Sequence, residues 1–364
     1  MRLRALAALA VLVAAPARAV EVVRIAVAVG IARASVSGAG LSMTPLQEGA
    51  SPVPVAGGKA EVTLEDDALR VNGAVLDVAG ATFSAEGAIR TGGLPLRGEV
   101  EVRRVPAGLV VVDVLPLEDY VASVTGAEMP PSFPAQALQA QAVAARTFAL
   151  FKKLEAVAEG RPWHLGASVL DQVYRGSRPD PRAVAAARAT AGEILVYEHA
   201  PIAAYFHSTC GGRTESGADA LGRDLPYLKS VPCRWCRDSP RLRWTVHVSG
   251  EELGRLVGVG GAVTRARVVA RTASGRAARV ELAHRGRRVT LAAVDLRQRL
   301  GFDRLPSLAF DVRVEAGAVA FAGRGAGHGA GMCQWGAAGA AKQGDSYRVI
   351  LARYYPGTEI VRMY

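Results

Sequence analysis

The chain has 364 residues, enough for two domains or one elaborate domain, so length does not limit the size of its hydrophobic core. Lysine and arginine outnumber aspartate and glutamate by 44 to 33, giving a net charge of +11 and a pI near 9.9. The Ala, Arg and Gly bias accounts for much of this charge. In an exported protein the remainder favours anionic wall, lipid or glycan partners and argues against nucleic acid.

Residues 1–19, MRLRALAALAVLVAAPARA, predict a secretory signal peptide. Two arginines open the segment, an apolar run extends from Leu6 to Ala15, and Ala17 and Ala19 form an A-x-A cleavage pattern. The run is shorter than the ~20 residues that span a bilayer, although an uncleaved anchor is an alternative. No later stretch is comparably apolar. We therefore expect an exported protein, periplasmic or extracellular and wall-associated, with no transmembrane segment in the mature chain.

Residues 20–112 are predicted to be β-rich, because short β-branched runs alternate with turn signals. The pair Asn72-Gly73 between apolar residues is a strong hairpin signal. Residues 113–364 are predicted to form a mixed α/β region. Together the two regions predict an α+β fold.

A long helix is predicted to start near Pro134, since Leu138, Ala142, Ala145 and Ala149 recur on one helical face. Further helices are predicted over residues 181–190 and 346–355. A strand, a turn and a second strand are predicted between the two, in EILVYEHAPIAAYFHS.

Glu128 is the lone charged residue of the stretch VTGAEMPPSFP, and it is predicted to lie on the connection before the long helix. A carboxyl group among Met129, two prolines and Phe133 is costly to bury unless its proton is used. A residue on such a connection can face a cleft. Glu128 is therefore the candidate general acid and base.

The pairs His207-x-x-Cys210 and Cys233-x-x-Cys236 supply the four ligands of a tetrahedral structural zinc site. This zinc would staple the loop 207–236 and would leave no open position for catalysis. A disulfide among the three cysteines is the alternative, because export makes disulfides plausible.

The segment GRGAGHGAGMCQWG places His328, Gln334 and Trp335 in glycine-rich chain that can approach a ligand closely. An indole offers sugars a flat apolar face, so a sugar-facing surface is predicted here, with a structural histidine as the alternative. Cys333 is interpreted as a small buried residue.

The sequence lacks the motifs that other classes of enzyme require. No G-x-S-x-G elbow and no phosphate loop is present, and a Cys/His dyad is disfavoured. Glycoside hydrolysis usually needs two carboxylates, but Glu118, Asp119 and Glu155 offer no obvious partner for Glu128. A single acid suffices if a hydroxyl group of the substrate attacks its own anomeric carbon.

Three ordered segments resemble the SpoIID/LytB family: VLPLEDYVASVTGAEMPPSFPAQALQAQAVAARTFAL, AYFHSTCGGRTESG, and GRGAGHGAGMCQWGAAGAA at residues 323–341. The resemblance spans Val114 to Ala341, and the β-rich lead-in is also similar. It implies that residues 113–364 are the catalytic region and form, with the β-rich part, a cleft for a glycan strand. It implies a peptidoglycan lytic transglycosylase that cleaves the MurNAc–GlcNAc linkage of peptide-free strands and leaves 1,6-anhydro-MurNAc ends. The C6 hydroxyl of MurNAc would be the internal nucleophile.

The resemblance places the catalytic role on Glu128, in the family's E-M-P segment. It implies that Gln141 and Arg146 line or brace the cleft, and they join His328 and Gln334 as candidate substrate-binding residues. Some members bind zinc through cysteines and a histidine near FHSTCGG. The family often has Trp where this chain has Ala326.

Members of the LytB type are amidase enhancers, so a wall-binding protein that activates a cell-wall amidase is the alternative function. A third hypothesis gives Glu128 only a structural role, as the acceptor that closes the loop before the helix.

Overall fold

The computed structural model describes residues 20–167, 171–176 and 179–364, so the predicted signal peptide lies outside the described residues. Within them the chain forms eight α-helices and 24 β-strands in several sheets, which confirms the predicted α+β class. None of the helices in these ranges is both long enough and apolar enough to cross a membrane.

The amino-terminal part is a pair of packed sheets. Its strands are β1 (Val22–Ile31), β2 (Arg33–Ser37), β3 (Ser42–Pro45), β4 (Val53–Pro54), β5 (Lys59–Glu65), β6 (Ala68–Val71), β7 (Ala74–Leu76), β8 (Gly80–Ser84), β9 (Ile89–Thr91), β10 (Leu94–Leu96), β11 (Glu99–Val105), β12 (Gly108–Pro116) and the distant β13 (Leu165–Gly166). One sheet has the order β13-β1-β12-β11-β8-β3-β4, and the other has the order β10-β9-β2-β5-β6-β7. Side chains alternate between the faces of a strand, and the inward set, including Val36 and Phe83, forms a shared core.

The predicted hairpin at Asn72-Gly73 joins β6 and β7. Its two turn residues have φ of 49° and 83°, the positive values that a tight hairpin turn requires.

The helices are α1 (Leu117–Glu128), α2 (Ala135–Ala158), α3 (Pro181–Ala189), α4 (Gly217–Leu221), α5 (Gly250–Val257), α6 (Ala293–Leu300), α7 (Gln334–Lys342) and α8 (Tyr347–Tyr354). The predicted starts at Pro134 and Pro181 and the predicted last helix are confirmed. Helix α2 contacts α1, α3, α7 and α8, and its buried alanines let these helices approach closely. One core joins the helices to the sheets, and β12 runs across the predicted boundary at residues 112 and 113.

Short strands complete the main body. They are β14 (Glu193–Tyr197), β15 (Ala200–Pro201), β16 (Phe206–His207), β23 (Met332–Cys333) and β24 (Glu359–Arg362). The parallel pairing of β16 with β23 brings the FHSTC segment against the glycine-rich segment.

An additional unit, the inserted subdomain of residues 244–323, lies between these two segments. Its strands are β17 (Trp244–Ser249), β18 (Arg265–Arg271), β19 (Ala277–His284), β20 (Arg287–Ala292), β21 (Phe310–Glu315) and β22 (Ala318–Gly323). Two three-stranded sheets, with α5 and α6, enclose a second core around Val248, Val280 and Phe321. The sequence analysis treated residues 113–364 as one region and did not predict this unit.

Candidate functional site

Glu128 is the last residue of α1, so the prediction that it lies on the connection to α2 was wrong. The helix stops here because Pro130 disfavours helical dihedral angles for the residue before it, and Met129 is extended with φ −122° and ψ 141°. The Glu128 side chain is half-buried at this helix end. A carboxyl group is thereby held against the body of the protein without being fully enclosed.

Two hydrogen bonds orient the carboxyl group of Glu128. Its Oε1 accepts the backbone N–H of Val173 at 2.7 Å. Its Oε2 lies 3.4 Å from the amide Nε2 of Gln334, the first residue of α7. Both bonds come from parts of the chain far from α1 in sequence, so tertiary packing sets the orientation of the acid.

The segment DQVYRG, residues 171–176, carries the N–H group that binds Glu128, and it is fixed by two tyrosines. The hydroxyl of Tyr120 donates to Gln172 Oε1 at 2.8 Å, and the hydroxyl of Tyr174 donates to Asp113 Oδ2 at 2.6 Å. Gln172 and Tyr174 are buried. The Val173 donor between them is consequently aimed by its neighbours on both sides.

Gln141 completes a chain of polar groups behind the acid. Gln334 Nε2 also lies 3.4 Å from Gln141 Oε1. Gln141 is fully buried on α2, and its Nε2 has no hydrogen-bond partner among the described residues. The structure thus brings together three of the predicted site residues, Glu128, Gln141 and Gln334.

Burial raises the pKa of Glu128, and the hydrogen bonds from Val173 and Gln334 and the charge of Arg175 reduce this rise without cancelling it. The negative end of the α1 dipole also disfavours the carboxylate form. Glu128 therefore keeps its proton to a higher pH than an exposed glutamate does, which is what a general acid requires.

An aromatic pair lies beside these groups. Trp335 follows Gln334 in α7, and its half-buried indole packs edge-on against Phe133 with ring centroids 4.9 Å apart. The sequence analysis predicted a sugar-facing role for this indole, and the structure places it next to the residue that contacts Glu128.

Arg146 makes only internal contacts, which correspond to the bracing alternative and not to a residue that lines the cleft. It is fully buried, and its Nε and Nη2 donate to the carboxylate of Glu118 at 2.7 and 2.6 Å. Its Nη1 donates to the Glu193 carbonyl at 3.0 Å. Burial alone would raise the pKa of Glu118, but the bonds and charge of Arg146 outweigh it and hold that pKa below its usual value. Arg146 braces α2 against α1 and β14, and its guanidinium is not exposed to a substrate.

His328 also makes internal contacts. Its Nε2 lies 2.8 Å from the Phe206 carbonyl, and its Nδ1 accepts the Ala330 N–H at 3.2 Å. Burial lowers the pKa of His328 to about 4, so the ring is neutral and both its nitrogens are in use. The structure supports the structural alternative for this residue in place of a substrate contact.

Cys210, Cys233 and Cys236 come together as predicted, but the fourth side chain of the cluster is Cys333 and not His207. The four buried sulfur atoms lie within 4.8 Å of one another and form no disulfide. Tetrahedral zinc with Zn–S bonds of ~2.3 Å fits sulfur atoms at such spacing. His207 instead bonds the Ala330 carbonyl through Nδ1 at 3.0 Å.

Backbone donors surround the sulfur cluster. The N–H groups of Cys210 and Gly336 point at Cys333 Sγ at 3.2 and 3.3 Å, and the N–H of Gly212 points at Cys210 Sγ at 3.4 Å. Such donors orient and stabilise metal-bound thiolates. The donor set and its surroundings fit a structural zinc ion.

Sequence comparisons with known proteins match the part of the chain that contains this site. The family described as SpoIID, Stage II sporulation protein, matches residues 106–197, which contain Glu128, Gln141 and Val173. Stage II sporulation protein D of Bacillus amyloliquefaciens is 35% identical over 68% of this chain and 75% of its own length. The chain belongs to the SpoIID/LytB family. An uncharacterised protein of Brachyspira hyodysenteriae is 33% identical to this SpoIID/LytB member over 80% of this chain and 79% of its own length.

This SpoIID/LytB chain also matches an amidase enhancer and a second domain family. The amidase enhancer of Bacillus subtilis is 28% identical over 64% of this chain, a stretch that covers 39% of the enhancer. A domain family of unknown function, DUF8618, matches residues 236–331 and so contains the inserted subdomain. Gln334 lies beyond both family matches.

Sequence reasoning missed Val173, Arg175 and Cys333 as parts of these sites. Val173 contributes a backbone N–H group, which no side-chain pattern reveals. Arg175 is exposed and acts on Glu128 through its charge. Cys333 could have been found, because it was the fourth of four cysteines and a tetrahedral site needs four ligands.

Proposed function

We propose that this SpoIID/LytB protein is a peptidoglycan lytic transglycosylase that cleaves the MurNAc–GlcNAc linkage of peptide-free glycan strands. The observation that carries the proposal is the carboxyl group of Glu128, half-buried, raised in pKa and bonded at both oxygens. The names of its relatives, a sporulation protein and an amidase enhancer, support a role at the cell wall. The predicted signal peptide would place the protein outside the cytoplasm, periplasmic or wall-associated.

In the first step Glu128 acts as the acid. The short bond from Val173 occupies Oε1, so the proton is held on Oε2, the oxygen that faces Gln334. This proton passes to the glycosidic oxygen as the bond from that oxygen to C1 of MurNAc breaks.

In the second step the same group acts as the base. The C6 hydroxyl of MurNAc attacks C1, its proton passes to the Glu128 carboxylate, and the 1,6-anhydro ring closes. Gln334 and Val173 both donate to the carboxylate formed between the steps, and hydrogen bonds to a charged acceptor are the stronger kind. The acid is regenerated, and no water is consumed.

An internal nucleophile agrees with the contacts of two other acids in this part of the molecule, Asp171 and Glu118. Asp171, two residues before Val173, accepts the Gly166 N–H at 2.7 Å and lies 3.6 Å from Lys152. Glu118 is bound to Arg146. Neither carboxylate is free to activate water for hydrolysis at the bond next to Glu128.

Zinc would have a structural role in this proposal. Cys210, Cys233, Cys236 and Cys333 would hold the ion, and the four thiolates would leave no position for substrate or water. The ion would tie the FHSTC segment to β23 and thereby to Gln334, which directly follows Cys333.

The decisive experiment incubates peptide-free glycan strands with the wild-type protein and with Glu128→Gln, and identifies the products by mass spectrometry. We expect 1,6-anhydro-MurNAc ends from the wild type only, because the amide cannot act as an acid. Reducing ends would show hydrolysis, and cleavage by Glu128→Gln would end the proposal.

A second candidate function is a non-enzymatic, wall-binding amidase enhancer, favoured by the match to the amidase enhancer of Bacillus subtilis. It predicts that the protein binds purified sacculi and accelerates an added amidase equally well with Glu128 or Gln at this position. Loss of that acceleration in Glu128→Gln would contradict the enhancer function.

A further inference from the structure

The positive charge of the protein is concentrated in one segment. Residues 236–331 contain 17 arginines, no lysine and 8 acidic residues, so they contribute +9 of the chain's net +11. A general basic composition would spread this charge along the chain. Its concentration in residues 236–331, a basic unit made of the inserted subdomain and its flanking residues, indicates that this unit meets an anionic partner.

A pocket of about 650 Å³ lies in this basic unit. Arg243, Trp244, Arg271 and Arg324 line it, at the edge where β17 and β22 meet. The pocket combines cationic side chains with an indole face, the two surfaces that a sugar bearing a carboxylate would contact.

The three arginines of the pocket are not equivalent. Arg271 pairs with Asp311 at 2.5 Å and donates to the Phe310 carbonyl at 3.3 Å. Arg243 and Arg324 are exposed, and their side chains make no hydrogen bond or ion pair within the described ranges. Two guanidinium groups therefore remain available for a ligand.

Two walls of the pocket are held in place by the glycine-rich segment. The indole N–H of Trp244 donates to the Gly325 carbonyl at 2.8 Å, and a side chain at Gly323 would collide with the indole ring. The stem of Arg324 packs against Gly211, where an added Cβ would lie 2.9 Å from its Cγ. The glycines permit these close approaches, so the pocket is built into the fold.

The same segment connects the pocket to the glutamate site. Ten residues separate Arg324 from Gln334, and a fully extended chain of that length spans at most ~36 Å. Backbone bonds between Thr209 and Ala326 anchor the segment between its ends. One extended polymer could contact both places.

We infer that the pocket formed by Arg243, Trp244 and Arg324 is an accessory subsite that binds a carboxylate of the wall polymer while Glu128 acts further along the strand. The inference rests on the proposed glycan substrate. Two sources offer the same chemistry: the lactyl carboxylate of each peptide-free MurNAc, and the carboxylates of stem peptides.

The test measures binding without turnover, so every protein carries Glu128→Gln. Fluorescence anisotropy gives Kd values for peptide-free strands, for the same strands with carboxylates converted to amides, and for strands with intact stem peptides. Arg243→Gln with Arg324→Gln is compared with the parent. The matched control is Arg255→Gln with Arg288→Gln, which removes two exposed charges of the same subdomain, one on α5 and one in β20, that do not line the pocket.

We expect the pocket variant to bind carboxylate-bearing strands about tenfold more weakly, the effect of about one charge-assisted hydrogen bond. The control should bind like the parent, and amidated strands should not distinguish the proteins. Loss with peptide-free strands assigns the lactyl carboxylate, whereas loss only with peptide-bearing strands assigns the peptide.

Equal binding by the pocket variant and the parent, equal loss in both double variants, or undiminished binding of amidated strands would overturn the inference. These results are independent of cleavage. If the wild type forms no anhydro ends but the pocket variant loses affinity, the transglycosylase proposal fails and the subsite stands.

Discussion

Gln334 Nε2 lies 3.4 Å from Glu128 Oε2, although 206 residues separate the two positions in the chain. The contact exists because α1 and α7 both pack on α2. Gln141, on that central helix, accepts from the same amide group. The acid is thus tuned by a polar chain whose members come from three helices of one core.

The hydrogen bond from Gln334 lowers the pKa of Glu128 against the effect of burial. We expect Gln334→Ala to raise this pKa and to move the alkaline limb of the pH–rate profile for strand cleavage to higher pH. The carboxylate formed after proton transfer also loses a donor, so cleavage at neutral pH should slow about tenfold.

Gln343→Ala, just beyond the other end of α7, is the matched control, since Gln343 is exposed and contacts Trp235. Its profile should coincide with that of the wild type. A Gln334→Ala profile that falls in height without moving along the pH axis would show that Gln334 does not tune Glu128.

Gln141→Leu should lower the cleavage activity without lowering the stability of the protein. The buried Nε2 of Gln141 lacks a partner among the described residues, and an unsatisfied buried donor costs ~1–3 kcal/mol. Leucine removes that donor, so the free energy of unfolding measured in urea should stay constant or rise. Strand cleavage should fall about tenfold, because Gln334 loses the acceptor that holds its amide near Glu128.

Gln139→Leu is the comparison for this variant, because Gln139 is on the same helix and its Oε1 also lacks a partner within the described ranges. It should leave cleavage unchanged. Equal loss of activity in both variants would point to a general disturbance of α2.

Glu128→Gln makes a prediction about stability as well as activity. Native Glu128 has a raised pKa, so the folded protein holds this proton more tightly than the unfolded chain does. Its contribution to stability is complete below the ordinary glutamate pKa and declines as the pH rises through the native pKa. At neutral pH the uncharged glutamine should therefore give an equal or higher Tm, and the difference should shrink in acid.

A large loss of Tm in Glu128→Gln at neutral pH would instead support the purely structural hypothesis for this residue. The melt needs no substrate, so it also checks the folding of the variant used in the cleavage experiment.

The sequence was sufficient where local chemistry dictates structure. Pro134 and Pro181 predicted helix starts because proline restricts φ to a helical value. Asn72-Gly73 predicted a hairpin turn because both residues tolerate positive φ. Glu128 could be chosen as the candidate acid because burying a carboxyl group among apolar residues costs free energy. Each of these inferences needs only a few neighbouring residues.

Other features depend on tertiary contacts that no local pattern encodes. The Val173 N–H group reaches Glu128 only because Tyr120 and Tyr174 hold its segment. Arg146 was predicted to line or brace the cleft, and only the fold shows that it pairs with the half-exposed Glu118, 28 positions away. His207 has the sequence spacing of a zinc ligand. In the fold it pairs with Cys333 on the neighbouring parallel strand, and the sulfur atom of Cys333, not the His207 ring, lies among the other three sulfur atoms.

Arg146→Met should destabilise the protein by about 1–3 kcal/mol at neutral pH, because the half-exposed Glu118 loses its ion-pair partner and the carbonyls of Ala187 and Glu193 lose a buried donor. Arg146 keeps the pKa of Glu118 low, so the stability from this pair is present above the ordinary glutamate pKa and is lost as the pH falls through the native value. Urea titrations should therefore show a smaller difference between the two proteins in acid.

The exposed Arg188, on α3, provides the control: Arg188→Met should change stability by less than about 0.5 kcal/mol. If Arg146→Met folded with native stability but lost affinity for glycan strands, the original prediction of a substrate contact would be correct.

The cysteine cluster gives a test that separates the two ligand sets. Protein purified without chelator should contain about one equivalent of zinc by elemental analysis. Cys333→Ser should lose the metal and lower the Tm, because Cys333 Sγ belongs to the group of four. His207→Asn should retain zinc, since His207 lies outside that group. Retention in Cys333→Ser with loss in His207→Asn would restore the ligand set predicted from the sequence, and full oxidation of the thiols in metal-free protein would favour a disulfide.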